Sequence, residues 1–410
     1  MNIARKDSRS QFFIAAVVFF CLIVCVVLYI YLCLRAGGFQ QLRNGYGDVK
    51  IHHTVRAYTL KGFNPFLYAG KEAPINGLEK VSENFAAVPW SLTLGNFFYA
   101  GFLPVRFASI YNTFMHLIVY LFTAALIYKT LAKKFTAKIT LLLSLLPLAH
   151  FSYMYSLWFG NDGGIICLLI LDALILARKK PYFSGVLIAL SMCKPQVGGL
   201  FCLVMLLRGY WKTLITGAFI DIISWFAASV CINTPMLELL KQSLFRGVNG
   251  DNRYLGILSP LMFLDINRTV IMLCNILIGI AYTLIFYYWF SRYKKTFGNT
   301  FNVIIYFPAC IASNVWMYKN GCDYLILVYA SALIVFMCTF EKLSRRDFYI
   351  SLLCMLYFQL SRCLVYAAIL LVSSSPLARS IFKSLDGLAI MIIGTFICKL
   401  FFKYKPLTND

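Results

Sequence analysis

Apolar residues fill long runs of this chain, and polar residues are confined to the gaps between them. The first run covers 12–34 and follows Arg5, Lys6 and Arg9. Others lie near 105–128, 137–157, 163–177, 182–207, 213–231, 268–290, 300–317, 323–340, 348–371 and 386–402. A helix needs about 20 apolar residues to cross the hydrocarbon of a bilayer. The pattern therefore predicts an all-α, multi-pass membrane protein. The run 12–34 is too long for a signal-peptide core and has no small-residue cleavage site after it, so it reads as a retained anchor.

The gaps carry tight basic clusters: Lys129/Lys133/Lys134/Lys138, Arg178/Lys179/Lys180, Arg208/Lys212, Arg292/Lys294/Lys295, Lys342/Arg345/Arg346 and Lys399/Lys403/Lys405. Lys and Arg collect on the cytoplasmic side. All the clusters reach that side only if 182–207 is a hairpin of two short helices, broken at Cys193-Lys194-Pro195-Gln196. Proline removes a helix hydrogen bond there. Counted this way, a single domain over 1–410 holds about twelve membrane helices (10–13), with both termini cytoplasmic. Two polar stretches, 35–103 and 232–267, then face outward. The first is too long to be a mere connector and contains helix-like pieces, such as Asp48 to Leu60 closed by Gly62 and Pro65.

Composition agrees. The chain is 60% hydrophobic and 13% charged, with a formal charge of +22, against about 25% charged in soluble domains. That excludes a disordered chain and a soluble nucleic-acid binder. The 14 cysteines form no CxxC pair and no zinc spacing, and many sit inside apolar runs. They read as small buried thiols.

Chemistry has to come from the few polar residues near membrane level. Asp48, His52 and Arg56 follow at i, i+4 and i+8, so on a helix they share one stripe just beyond the first span. A carboxylate in that setting suits a general base; it equally suits a helix cap. Lys194 is a cation in an apolar hairpin with no acid nearby in sequence. It needs an anion, either a protein carboxylate or a ligand phosphate, unless it snorkels to the surface. Three polar turns complete the set: Trp158-Phe159-Gly160-Asn161-Asp162-Gly163-Gly164, Phe245 to Arg253, and Ser313 to Asn320. Each is also compatible with plain turn chemistry. Asp172 and Asp221 fall inside apolar runs, where they pair with lysines or line a polar path. His116 and His150 read as packed, hydrogen-bonded histidines.

In this order, the motifs resemble the integral-membrane glycosyltransferases of the GT-C fold, and among them glycosyltransferase family 87, which uses polyprenyl-phosphate-mannose. The stretch Tyr58…Lys61-Gly62-Phe63-Asn64-Pro65-Phe66 looks like that family's G-x-[ND]-P-[YF] segment. Trp158-Phe159-Gly160-Asn161 looks like its GQ-x-N turn, and Ser184 to Leu190 with Lys194-Pro195 looks like its G…K-x-P hairpin. Val248 to Arg253 resembles its GNQS loop, and Trp316 its SP-x-SW-x-H helix end. The histidine after that tryptophan is missing, with Tyr318 and Lys319 standing nearby. The likeness runs from about 40 to about 330.

The resemblance implies a GT-C-like bundle in a cell (inner) membrane. It also implies inverting transfer of a mannose-like sugar from a polyprenyl-phosphate donor to a hydroxyl of an extracytoplasmic glycolipid or glycan. Asp48 would be the base, with His52, Arg56, Asn161, Lys194, Gln196, Arg253 and Lys319 binding substrate. A lipid monophosphate is a competent leaving group, so neither metal nor other cofactor is required. A flippase would show broken helices in matching halves, and the break at Lys194 has no counterpart. An envelope polysaccharide polymerase or ligase would place its long loop late in the chain. A non-catalytic assembly protein would not depend on Asp48.

Overall fold

The computed structural model describes residues 8–35, 47–82, 85, 87–132, 136–249, 256–264, 266–297, 301–317, 321–340, 343–372 and 375–404. Among these there is no strand. The principal helices are α1 (Ser8–Arg35), α2 (Gly47–Leu60), α3 (Val105–Leu131), α4 (Ala137–Leu145), α5 (Phe151–Phe159), α6 (Gly163–Leu176) and α7 (Pro181–Ser191). They continue with α8 (Pro195–Leu207), α9 (Trp211–Cys231), α10 (Met236–Asn249), α11 (Arg268–Arg292), α12 (Phe307–Ala312), α13 (Val328–Phe340), α14 (Arg345–Val372) and α15 (Pro376–Lys403). Seven helical segments among the described residues are long and apolar enough to cross a membrane, and four shorter apolar helices accompany them. The protein is a polytopic, all-helical membrane protein.

The outside of the bundle is greasy. Phe19, Ile23 and Val27 on α1, Ile110, Phe114, Leu117 and Leu121 on α3, Ile215, Phe219, Ile222 and Phe226 on α9, and Leu385, Leu388 and Ile392 on α15 are all exposed. Apolar surface of this extent faces lipid rather than water. At the centre lies α6, apolar on every side and buried along nearly its whole length. A helix hydrophobic all round belongs in an interior. It packs against α3, α7 and the 3₁₀ segment Gly321–Leu327.

Several apolar runs are interrupted. The run 137–157 splits into α4 and α5 around Pro147, and the ring of His150 accepts from the Ser152 amide to start α5. The run 182–207 splits into α7 and α8 at Met192-Cys193-Lys194. Trp90 Nε1 donates to the Met192 carbonyl at 2.8 Å, and Trp316 Nε1 to the Gln196 carbonyl at 2.7 Å, so indoles hold the chain on both sides of the break. Trp316 fits because Gly279 and Gly199 make room: a Cβ on Gly279 would lie 2.2 Å from the tryptophan Cβ, and one on Gly199 2.9 Å from its ring. The last helix starts at Pro376, well before its apolar run at 386.

The two polar stretches pack on each other. Val55, Tyr58, Phe66, Phe85 and Leu92 share a small core with Ala228, Ile232 and Leu239. Asn64, just before Pro65, donates from Nδ2 to Gln242 Oε1 at 3.0 Å and to Thr234 Oγ1 at 3.2 Å, while its Oδ1 caps the following turn by accepting from the Phe66 amide. Arg246 donates to the Phe66 carbonyl, and Ser243 to that of Ala87. This layer covers one end of the bundle. In a background lacking the exposed Cys231 and Cys274, single cysteines placed at Glu72 and at Lys138 should react with an impermeant maleimide from opposite faces of the membrane. Labelling from the same face would contradict the arrangement.

Candidate active site

The layer and the bundle meet at the N-terminus of α6. The turn before that helix is fixed by Gly160, which takes φ 64° and ends α5, a left-handed conformation that glycine adopts without a Cβ penalty. Asn161 and Asp162 follow. His116 of α3 and Ser156 of α5 hold the Asn161 carbonyl, and the Ser156 hydroxyl also accepts from the Gly164 amide. Tyr99, from the polar layer, accepts from the Asp162 amide at 3.0 Å.

Asn161 is the hub. Its Nδ2 donates to Asp48 Oδ2 at 2.7 Å, across 113 residues of sequence. Its Oδ1 accepts from Lys194 Nζ at 2.6 Å. The same ammonium lies 2.9 Å from Asp162 Oδ1 and 3.3 Å from Asp323 Oδ1. Lys194 is only 8% exposed, so a buried cation has met two carboxylates as its desolvation requires. Backbone space is tight: a Cβ on Gly163 would lie 2.2 Å from Asp323 Oδ1 and 2.9 Å from Asn161 Oδ1.

The Asp48 stripe is present. Asp48 is half-buried in the first turn of α2. His52 stacks on Tyr99 with ring centroids 4.8 Å apart. Arg56 is 2% exposed; it donates from Nη1 to His52 Nδ1 and to the His52 carbonyl and lies 5.3 Å from the Tyr99 centroid. Gly95 and Gly101 leave space for it, since a Cβ on either would approach the Arg56 side chain to about 2.5 Å. Burial raises the Asp48 carboxyl above its ordinary range, against the hydrogen bond from Asn161 and the field of Lys194. Burial also pushes Asp162 up, but Lys194, His52 and Arg56 outweigh it and hold Asp162 down at about 2. Burial, then the Arg56 charge, keeps His52 neutral, down to about 3.

Sequence reasoning thus placed Asp48, His52, Arg56, Asn161 and Lys194 in one region. Gln196 follows Lys194 by two residues, and its backbone carbonyl accepts from Trp316, outside the cluster. Arg253, Lys319 and Tyr318 lie outside the described residues. Tyr99, Asp162 as a partner of Lys194, and Asp323 were not singled out; the signal for Asp323 was its place at the mouth of the run 323–340, facing a lysine in need of an anion. Asp172 is occupied elsewhere, accepting from Thr123 Oγ1 at 2.9 Å between α6 and α3.

The fold and this polar cluster define a polytopic membrane protein with a carboxylate-rich site at one end of its bundle. The chain matches glycosyltransferase family 87 over residues 92–314, more than half its length, and it belongs to that family. The match includes Asn161, Asp162, Lys194 and Gln196; it stops short of Asp48 on one side and Asp323 on the other. No curated protein and no solved structure gives a significant match.

Removing one partner of a buried ion pair costs about 3–5 kcal/mol, because the other charge is stranded. Lys194→Met should therefore destabilise the protein by about that amount, and adding Asp162→Asn with Asp323→Asn should restore much of the loss. Thermal unfolding in detergent measures both; equal stability of the single and triple variants would refute the coupling. The sign for Asp162 follows from its depressed pKa: its contribution is complete above the unfolded value of 3.8 and lost as pH falls through about 2.

Proposed function

We propose that this glycosyltransferase moves a sugar, mannose-like by family resemblance, from a polyprenyl-phosphate donor to a hydroxyl of an extracytoplasmic glycolipid or glycan, with Asp48 as general base. The observation that carries the reading is the Asp48–Asn161–Lys194 chain, a carboxylate oriented at the junction of the polar layer and the lipid-facing bundle. Asp48 takes the acceptor's O–H proton as that oxygen forms a bond to the anomeric carbon. The bond from that carbon to the phosphate oxygen breaks, and prenyl phosphate leaves with the electron pair. One base opposite the leaving group suffices for inversion. A prenyl tail stays in lipid while the acceptor arrives from the watery side, which suits a site at this boundary.

His52 and Arg56 line the same stripe, and their bond to each other and stacking on Tyr99 orient them without spending the Asp48 carboxylate. The Asn161 amide donates to one oxygen of Asp48 and leaves the other available to a substrate hydroxyl. Lys194 contributes at a distance: with Asp162 and Asp323 beside it, its charge is spent within the protein, and its field favours the ionised form of Asp48.

A general base is worth about 10²–10⁴ in rate. Asp48→Asn should lower turnover of a prenyl-phosphate sugar by at least a hundredfold at near wild-type stability; retained turnover removes Asp48 from the mechanism. Activity requires the ionised base, so it falls as pH drops through the raised Asp48 pKa. Weakening the positive field moves that limb to higher pH. A pH–rate profile of Lys194→Gln, which retains a donor toward Asn161, tests the shift; an unmoved limb refutes the electrostatic role.

A further inference from the structure

The helix α10, which carries the polar layer, faces the wrong way for a helix in water. A surface helix ordinarily turns its apolar stripe to the core and its polar side outward. In α10 the polar side faces inward. Gln242 accepts from Asn64 at 3.0 Å, Ser243 donates to the Ala87 carbonyl at 2.7 Å and Arg246 to that of Phe66 at 3.1 Å. Leu239 on the same side is fully buried. The outward side is apolar: Leu237, Leu244 and Phe245 are 70%, 59% and 67% exposed. Their spacing of i, i+7 and i+8 puts them on one face of the helix.

The position of α10 says what covers that face. It begins at Met236, just after α9 ends at Cys231, and the Trp225 indole of α9 donates to the Met236 carbonyl at 3.1 Å. It packs against both α9 and α11. On either side these two present lipid-facing residues, Phe226 and Val230 at the end of α9 and Val270, Leu273 and Leu277 on α11. Phe263, Leu264 and Ile266, just before α11, are exposed as well. The apolar face of α10 therefore continues the greasy belt at the level where the spans end. Lys241 stands exposed between Leu237 and Leu244 on that face. Lysine is depleted from the cores of protein interfaces. At a bilayer boundary its stem lies along apolar groups while its ammonium reaches the headgroups.

We infer that α10 is an interfacial helix, its Leu237–Leu244–Phe245 face sunk into the boundary between headgroups and acyl chains and its polar side holding the layer. Helices of this kind bury their apolar face about 5–10 Å into that boundary. The bilayer then bears directly on the layer. Asn64, Phe66 and Ala87 are bonded to α10, and Val55 and Tyr58 of α2, the helix that carries Asp48, share a core with Leu239. This seating does not depend on the chemistry proposed for Asp48.

Nitroxide labels test the inference in the full-length protein, without Cys231 and Cys274, in nanodiscs of phosphatidylcholine and phosphatidylglycerol. Single labels go on Leu237→Cys, Leu244→Cys and Phe245→Cys, with Phe219→Cys as the lipid control and Glu72→Cys as the water control. Dissolved oxygen should relax the three α10 labels more than a water-soluble nickel chelate does, as at Phe219, with the preference reversed at Glu72. A preference for the chelate at Leu237 and Leu244 would place the face in water and overturn the inference. Low accessibility to both reagents would mean that protein covers it, a second copy if spin–spin broadening accompanies it, and would overturn the inference equally. A second measurement is amide exchange. Leu244→Glu/Phe245→Glu keeps every bond between α10 and the layer and substitutes a good helix former. In nanodiscs its 236–249 amides should exchange about tenfold faster than wild type, because the helix loses its seat in lipid; unchanged exchange would count against the seat.

Discussion

A buried ammonium organises this protein. Lys194 sits where two helices break, in surroundings that disfavour charge, and it is tolerable only because Asp162, Asp323 and the side-chain Oδ1 of Asn161 converge on it. Lys194 and those partners come from three separate parts of the chain, so satisfying one charge fixes the start of α6, the α7–α8 break and the segment that opens α13 relative to one another. Apolar packing in a membrane gives little directional information, because lipid is as apolar as leucine. Polar groups that must find partners supply it instead.

The arrangement proposed as catalytic inherits that rigidity. Asp48 lies on the polar layer, outside the greasy bundle, and among the described residues its direct link inward is Asn161. An amide is well suited to the junction: it donates to a carboxylate on one side and accepts from an ammonium on the other, so a charge on each flank is satisfied by a neutral group. The glycines around it follow from the same crowding. Gly163 leaves room for the Asp323 carboxylate, and Gly95 and Gly101 for the buried Arg56. A side chain at any of the three would have to displace a charged group from its buried position.

The fold class was legible because membrane helices announce themselves locally: each apolar run satisfies its own backbone and needs no partner to be recognised. The break at Lys194-Pro195 was legible for the same reason, since proline and an intramembrane charge act within a few residues. The Asp48–His52–Arg56 stripe follows from helical periodicity. What sequence could not give was pairing at long range. Lys194 demanded an anion, yet Asp323 lies 129 residues away, and nothing local distinguishes it from any acid at a helix mouth. The split of 137–157 was missed because Pro147 lies within leucines that read as a continuous span; a proline there removes an amide, and the His150 ring then caps the helix that follows.

The last two helices illustrate the converse. No short motif marks them, and by hydropathy they are ordinary spans. Their polar residues gain meaning only from the packing that sets Arg362 over Tyr324 and thereby next to Asp323. On the proposed reading, a transferase that expels a prenyl phosphate must keep its base ionised while charge develops on the leaving group. Lys194, committed to Asp162 and Asp323, on that reading tunes Asp48 with a charge that substrate binding does not disturb.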